Sequence, residues 1–231
     1  MAGSQKFPKE QKRGKMASTL PKARAASFTA SKPPPGPPRY REWQEWQSLG
    51  VPIEWFPKAK APTGLLRDER ETAVNFWASD QHAEILASRP EWMVRLEGMG
   101  ATPHHIEAYE KGDGEMRWYQ VPLSWVKRPY PPASQRKAGK YLTWQAWEAK
   151  GVRVQHTAET FPRPEQETSF SLIDTEAKME INTCSKAWQR RLEAEGAQPW
   201  SIDAARDGHG ECRCYLVPKS WVKLPGKRGR R

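Results

Sequence analysis

A chain of 231 residues with 37% hydrophobic content and twelve Trp can bury a core without disulfides or metals, because each large aromatic removes much surface from water. It has no apolar run near the roughly 18 residues of a membrane span and no signal-peptide core, which predicts a soluble, cytoplasmic protein. Three Cys (Cys184, Cys212, Cys214), an odd number confined to the second half, argue against a disulfide framework and for a reducing compartment.

The net charge of +11 is unevenly spread. Residues 1–40 carry nine Lys/Arg against Glu10 alone, residues 127–141 carry five without an acid, and residues 218–231 carry six without an acid. What remains is acidic, about −8, so the positive charge sits in arms. Such arms pair with polyanions because phosphates release counterions on neutralisation. The competing reading is a set of basic, Pro-rich tails that keep a Trp-rich protein in solution. The stretch "MASTLPKARAASFTASKPPPGPP" also has the Ser/Ala-rich, nearly acid-free composition of an organelle transit peptide, so residues 1–38 carry that alternative.

In chain order, residues 1–39 read as a disordered basic arm, 40–127 as a first copy, 128–140 as a basic Pro-rich linker, 141–223 as a second copy and 224–231 as a tail. The copies are an internal repeat: Glu71–Lys127 aligns with Glu167–Lys223 at a constant offset of 96, ending in "YQVPLSWVK" and "YLVPKSWVK". Upstream, "EWQEWQSLGV" matches "TWQAWEAKGV" at an offset of 101, so the stretch between tolerates a length change as a loop does.

Each copy opens with a short helix carrying Trp43 and Trp46, or Trp144 and Trp147, with Thr143 as N-cap and Gly50 or Gly151 past the end. "ETAVNFW" and "ETSFSLI" alternate, with Val74 and Phe76, or Phe170 and Leu172, on the buried side. A second strand buries Ala83, Ile85 and Ala87, or Met179, Ile181 and Thr183. A helix follows, with Ser88 and Glu91 in capping-box spacing, Pro90 in its first turn and Trp92/Leu96 or Trp188/Leu192 facing the core. A second hairpin and a single turn then place Trp125 or Trp221 to close the core. The expected fold is α+β: two tandem duplicated modules, each a short helix followed by β-β-α-β-β, either packed together or strung on the linker.

The pattern "ET", then "AEI" with a small or hydroxyl residue, "W…RLE…G" and "Y.VP.SWVK" resembles a small domain of uncharacterised bacterial and phage proteins. The resemblance covers residues 71–127 and 167–223 and implies a prokaryotic or phage setting, with no activity or catalytic residue to transfer.

Candidate chemistry is sparse. His209, Cys212 and Cys214 with Cys184 have the residue types of a Zn set, but Cys212 and Cys214 are two apart on a strand, unlike a C-x-x-C knuckle. The first copy makes do with Ser88, Asp113, Met116 and Trp118 in their stead, so no metal or other cofactor is expected. His104 and His105 become Trp200 and Ser201 in the second copy and read as a polar strand start. The repeated acids Glu84/Glu180, Glu97/Glu193 and Glu115/Glu211 are not accompanied by a nucleophile, base and orienter, so a non-enzymatic protein is expected.

The cations kept in both copies, Arg95/Arg191, Arg117/Arg213 and Lys127/Lys223, are either ion-paired and laid over aromatic rings or available to phosphates. With Arg128, Arg136, Lys137, Lys140, Lys219, Lys227, Arg228, Arg230 and Arg231 they form the candidate nucleic-acid-binding set, with Trp faces for base stacking. The leading expectation is thus a tandem-module protein that engages nucleic acid through its arms and linker. The alternative is a protein-interaction or assembly component, of a phage or other large complex, with solubilising tails.

Overall fold

The computed structural model describes residues 38–55, 70–109, 114–157, 166–173, 176–208 and 210–227. Residues 1–37 of the amino-terminal arm, His209, Asp113, Arg228, Arg230 and Arg231 lie outside them. All the described residues fall in one compact unit. Copy 1 runs α1 (Trp43–Ser48), β1 (Ile53–Trp55), β2 (Glu71–Trp77), β3 (His82–Ala87), α2 (Pro90–Gly98), β4 (Pro103–Ala108) and β5 (Glu115–Pro122). Copy 2 repeats it as α3 (Trp144–Glu148), β6 (Arg153–Thr157), β7 (Glu167–Ile173), β8 (Lys178–Thr183), α4 (Lys186–Ala194), β9 (Pro199–Ala205) and β10 (Glu211–Pro218).

These strands form one ten-stranded sheet in the order β1-β4-β5-β3-β2-β7-β8-β10-β9-β6. The expectation of an α+β protein with a β-β-α-β-β core per module is therefore corrected: the fold is dominated by a single mixed sheet, and among the described residues its four helices are short. Each copy adds a strand that the pattern missed, β1 or β6, which runs parallel to β4 or β9 at the sheet's edge. These strands sit beside the length-variable stretch, and three residues of "IEW" are too few to show an alternation.

The copies meet at β2 and β7, which pair antiparallel from Glu71↔Ile173 to Trp77↔Glu167. The central pair, Val74↔Phe170, consists of two repeat-equivalent residues, so a local two-fold axis passes between them. Such a contact is isologous, the geometry of a symmetric dimer written in one chain. Side chains alternate across the sheet as the pleat requires. Val74, Phe76, Ile85, Tyr119 and Val121 of copy 1 join Phe170, Leu172, Ile181, Tyr215 and Val217 of copy 2 in one core, which also contains Trp92, Leu96, Leu192 and Trp221. Trp125 and Trp188 are half-buried against it. Trp46 is buried with Ile106 and Ala108 in a smaller cluster that Trp43 flanks, and Trp147 is buried while Trp144 is half-buried.

The helix ends are set by local chemistry. Gly50 and Gly151 both take φ +87° just past α1 and α3, a left-handed conformation that suits glycine. Thr143 caps α3 by accepting the Ala146 N–H at 3.3 Å. Ser88 does not cap α2: its hydroxyl instead donates to the Glu71 carbonyl, tying β2 to the α2 entrance. The single turns after β5 and β10, Leu123–Trp125 and Lys219–Trp221, are 3-10 helices.

The thiols are also arranged otherwise than expected. Thr183↔Arg213 pairing of β8 with β10 leaves Cys184 facing Cys212 in the next register, and the two are joined as a disulfide. Cys214 stays free and half-buried, its thiol pushed up to about 11 by burial. A bridged Cys184–Cys212 pair supplies no thiolate to a Zn set. Among the described residues no helix is long and apolar enough to cross a membrane.

Candidate nucleic-acid interface

The basic linker and tail do not hang from the modules; each crosses to the other copy. After the turn of copy 1, Tyr130 N–H donates to the Trp221 carbonyl at 3.0 Å, and after that of copy 2, Gly226 N–H donates to the Trp125 carbonyl at 3.0 Å. Residues 130 and 226 are repeat equivalents, as are 125 and 221, so the two bonds form a reciprocal clasp about the same two-fold axis. Further along, Gly139 N–H donates to the Ala194 carbonyl at 3.1 Å, at the last residue of α4. There a Cβ on residue 139 would lie 1.8 Å from the Glu193 carbonyl oxygen, so only glycine fits. Arg95 Nε donates to the Pro225 carbonyl at 2.8 Å.

The clasp gathers cations on the helix side of the sheet. A groove of about 440 Å³ is lined by Lys127, Arg128 and Arg191, with Tyr130 and Trp188 as aromatic walls and Ser124 at its rim. Among the described residues no carboxylate lines it. Arg128 reaches Glu195 at 2.8 Å, and burial, reinforced by nearby Arg191, lowers its pKa from the ordinary arginine value. Tyr130 is flanked by Lys223, 4.3 Å from its ring centroid, and by Arg136 at 5.9 Å. Lys227 stands 5.3 Å from the Trp125 ring. Arg95, Arg136, Lys137, Lys140, Arg191 and Lys227 are exposed, whereas Lys127, Arg128, Lys219 and Lys223 are half-buried. Lys219 Nζ donates to the Ile173 carbonyl.

Arg117 and Arg213 belong to a different structure. Both are 0% exposed and face the core side of β5 and β10, which leaves neither available to a phosphate at the surface. Arg117 pairs through Nη1 with Glu97 and through Nη2 with Glu115 at 2.6 Å, and Arg213 does the same with Glu193 and Glu211 at 2.6 Å. The Tyr119 and Tyr215 hydroxyls donate to Glu97 and Glu193, each at 2.9 Å. The Trp46 and Trp147 indoles donate to the same carboxylates at 3.1 and 3.2 Å. Burial favours a neutral arginine, but the carboxylates outweigh it and hold both guanidiniums above their ordinary pKa. Glu97 is raised by burial in spite of Arg117. Three of the charge pairs repeated between copies, Glu97/Glu193, Glu115/Glu211 and Arg117/Arg213, thus form a structural network that fixes α1, α2 and β5, or α3, α4 and β10, to one another.

The opposite sheet face carries the alternate residues, among them Glu84, Glu107, Glu180 and Asp203. Trp77, Trp200 and Leu216 are 43, 45 and 42% exposed. This face also holds what the sequence reading passed over. His105 Nε2 lies 3.5 Å from Glu54 on β1 and 3.6 Å from Glu107 on its own strand. Adjacent His104 stands 3.8 Å from Glu84, its pKa lowered by burial and by His105. The strand start is polar, as expected, but only the missed β1 brings Glu54 to it. No family model, curated protein or solved structure matches the chain.

Proposed function

We propose that this is a non-enzymatic nucleic-acid-binding protein whose cationic groove and clasped arms hold the phosphate backbone with little reading of sequence. The observation that carries this reading is the groove lined by Lys127, Arg191 and the Glu195-paired Arg128, walled by Tyr130 and Trp188. Guanidinium and ammonium groups suit phosphate oxygens, and an aromatic wall accepts a base or a sugar without regard to sequence. The acids of the opposite face support the same orientation, since they would repel a polyanion there. The duplicated cations of the clasp, Arg95/Arg191 and Lys127/Lys223, give the chain two related contact regions, which raises apparent affinity through effective concentration.

Binding of fluorescent single- and double-stranded DNA and RNA, measured across a salt series, tests it. Affinity should fall steeply with salt, and Arg191→Glu with Lys140→Glu should weaken binding by about tenfold or more and flatten the slope. Absence of binding at low salt overturns the reading. The exposed Trp77, Trp200 and Leu216 favour a second one, an assembly component that docks a protein on its sheet face. In that case binding of a partner would be lost in Trp77→Ser and Leu216→Ser and kept in Arg191→Glu.

A further inference from the structure

The open sheet face of copy 1 brings together Glu54, His105 and Glu107, one donor atom from each lying within 4.8 Å of the others. Register explains the convergence. In the parallel β1–β4 ladder Glu54 sits directly opposite Glu107, with His105 two residues back on the same face of β4. Two carboxylates facing each other across adjacent strands repel, and a cation between them relieves that repulsion. His105 Nε2, the nitrogen nearest both acids, points at that gap, and the Trp118 ring packs against the imidazole with centroids 5.0 Å apart.

The spacing suits a metal ion. An ion bound about 2.0–2.2 Å from each nitrogen or oxygen donor holds its ligands about 3.0–3.6 Å apart, the range of the two His105 separations. The Glu54 side chain is 70% exposed and free to close on the same ion from the edge strand. One imidazole and two carboxylates form a mixed donor set of the kind that takes borderline divalent transition metals, with a coordination position open toward solvent.

Copy 2 builds the same strands in the same register, Gln155↔Asp203, but holds Gln155, Ser201 and Cys214 where copy 1 has Glu54, His105 and Trp118. The fold is therefore indifferent to these side chains, and the donors belong to copy 1 alone. We infer that copy 1 carries a single divalent transition-metal site, formed by Glu54, His105 and Glu107 with Trp118 fixing the imidazole, that copy 2 lacks.

Titration of metal-free full-length protein with Zn²⁺ by calorimetry should show saturable uptake of a single equivalent, with a rise in thermal midpoint. Glu54→Gln, which installs the residue that copy 2 already tolerates, and His105→Gln should each weaken uptake by at least about tenfold and abolish the rise. Cys214→Ser should change neither, and the Co²⁺-loaded protein should lack a thiolate charge-transfer band. No saturable uptake, as a protonated His105 bridging two carboxylates would give, overturns the inference. So does uptake unaffected by the Glu54 and His105 variants, or uptake that depends on Cys214.

Discussion

At the residue scale, the guanidinium at the centre of each copy is the most constrained group. Arg117 and Glu97 are buried together, and removing one member leaves the other as an uncompensated charge in a poor solvent. Glu97→Gln and Arg117→Met should each lower unfolding free energy by about 3–5 kcal/mol in denaturant titrations. A smaller loss should follow when both are replaced by apolar residues of similar volume. The network also sets the alkaline limit. Burial, with the neighbouring acids, lifts Tyr40 and Tyr141 from their ordinary 10.0 to about 12, although Arg117 and Arg213 pull the other way. The folded state holds these protons more tightly than the unfolded chain, so their contribution is complete below pH 10 and is lost as pH rises toward about 12. Tyrosinate absorbance should therefore lag a normal titration and then rise together with loss of fold, and Tyr40→Phe with Tyr141→Phe should reduce that alkaline dependence. Two features of this scale were legible in the sequence: the charges come in repeat-equivalent sets, and a repeated Arg in an acidic module is either paired or functional. Which acid pairs was not legible, because Glu97 reaches Arg117 only when α2 lies across β5.

At the element scale, strands β2, β3, β7 and β8 announce themselves by alternation, since each buries every second residue against the helix layer. The cluster of Glu54, His105 and Glu107 could not be seen, because it depends on β1, a three-residue edge strand defined by its partner rather than by its own pattern. The linker misled differently. "KRPYPPASQRKAGK" has the composition of a tether, yet Arg128, Tyr130 and Gly139 have partners in copy 2, and composition carries no information about contacts so distant in the chain. The close approach at Gly139 gives a direct check. Gly139→Ala should push the linker off the end of α4 and raise hydrogen exchange at residues 130 and 139, while leaving the sheet amides protected.

For the whole molecule, the isologous β2–β7 seam has a strong consequence. A polypeptide of residues 38–140 would expose β2 as a bare edge with Val74 at the position where the axis passes, and an identical β2 can satisfy it in the same register. Sedimentation of that polypeptide should show a dimer, and Val74→Pro, which removes a ladder donor at the centre, should leave it monomeric or unfolded. In the intact chain both seam strands are taken, and the sheet ends instead on the short parallel strands β1 and β6. A short edge that pairs poorly with strangers is one way proteins avoid edge-to-edge association.

The clasp also assigns an order to synthesis. The partner that Trp125 needs, Gly226, leaves the ribosome 101 residues later, about 5–20 s at ordinary rates of elongation. The first copy to be made is thus the last to be sealed, since the Trp221 carbonyl that receives Tyr130 emerges five residues before the Gly226 that Trp125 awaits.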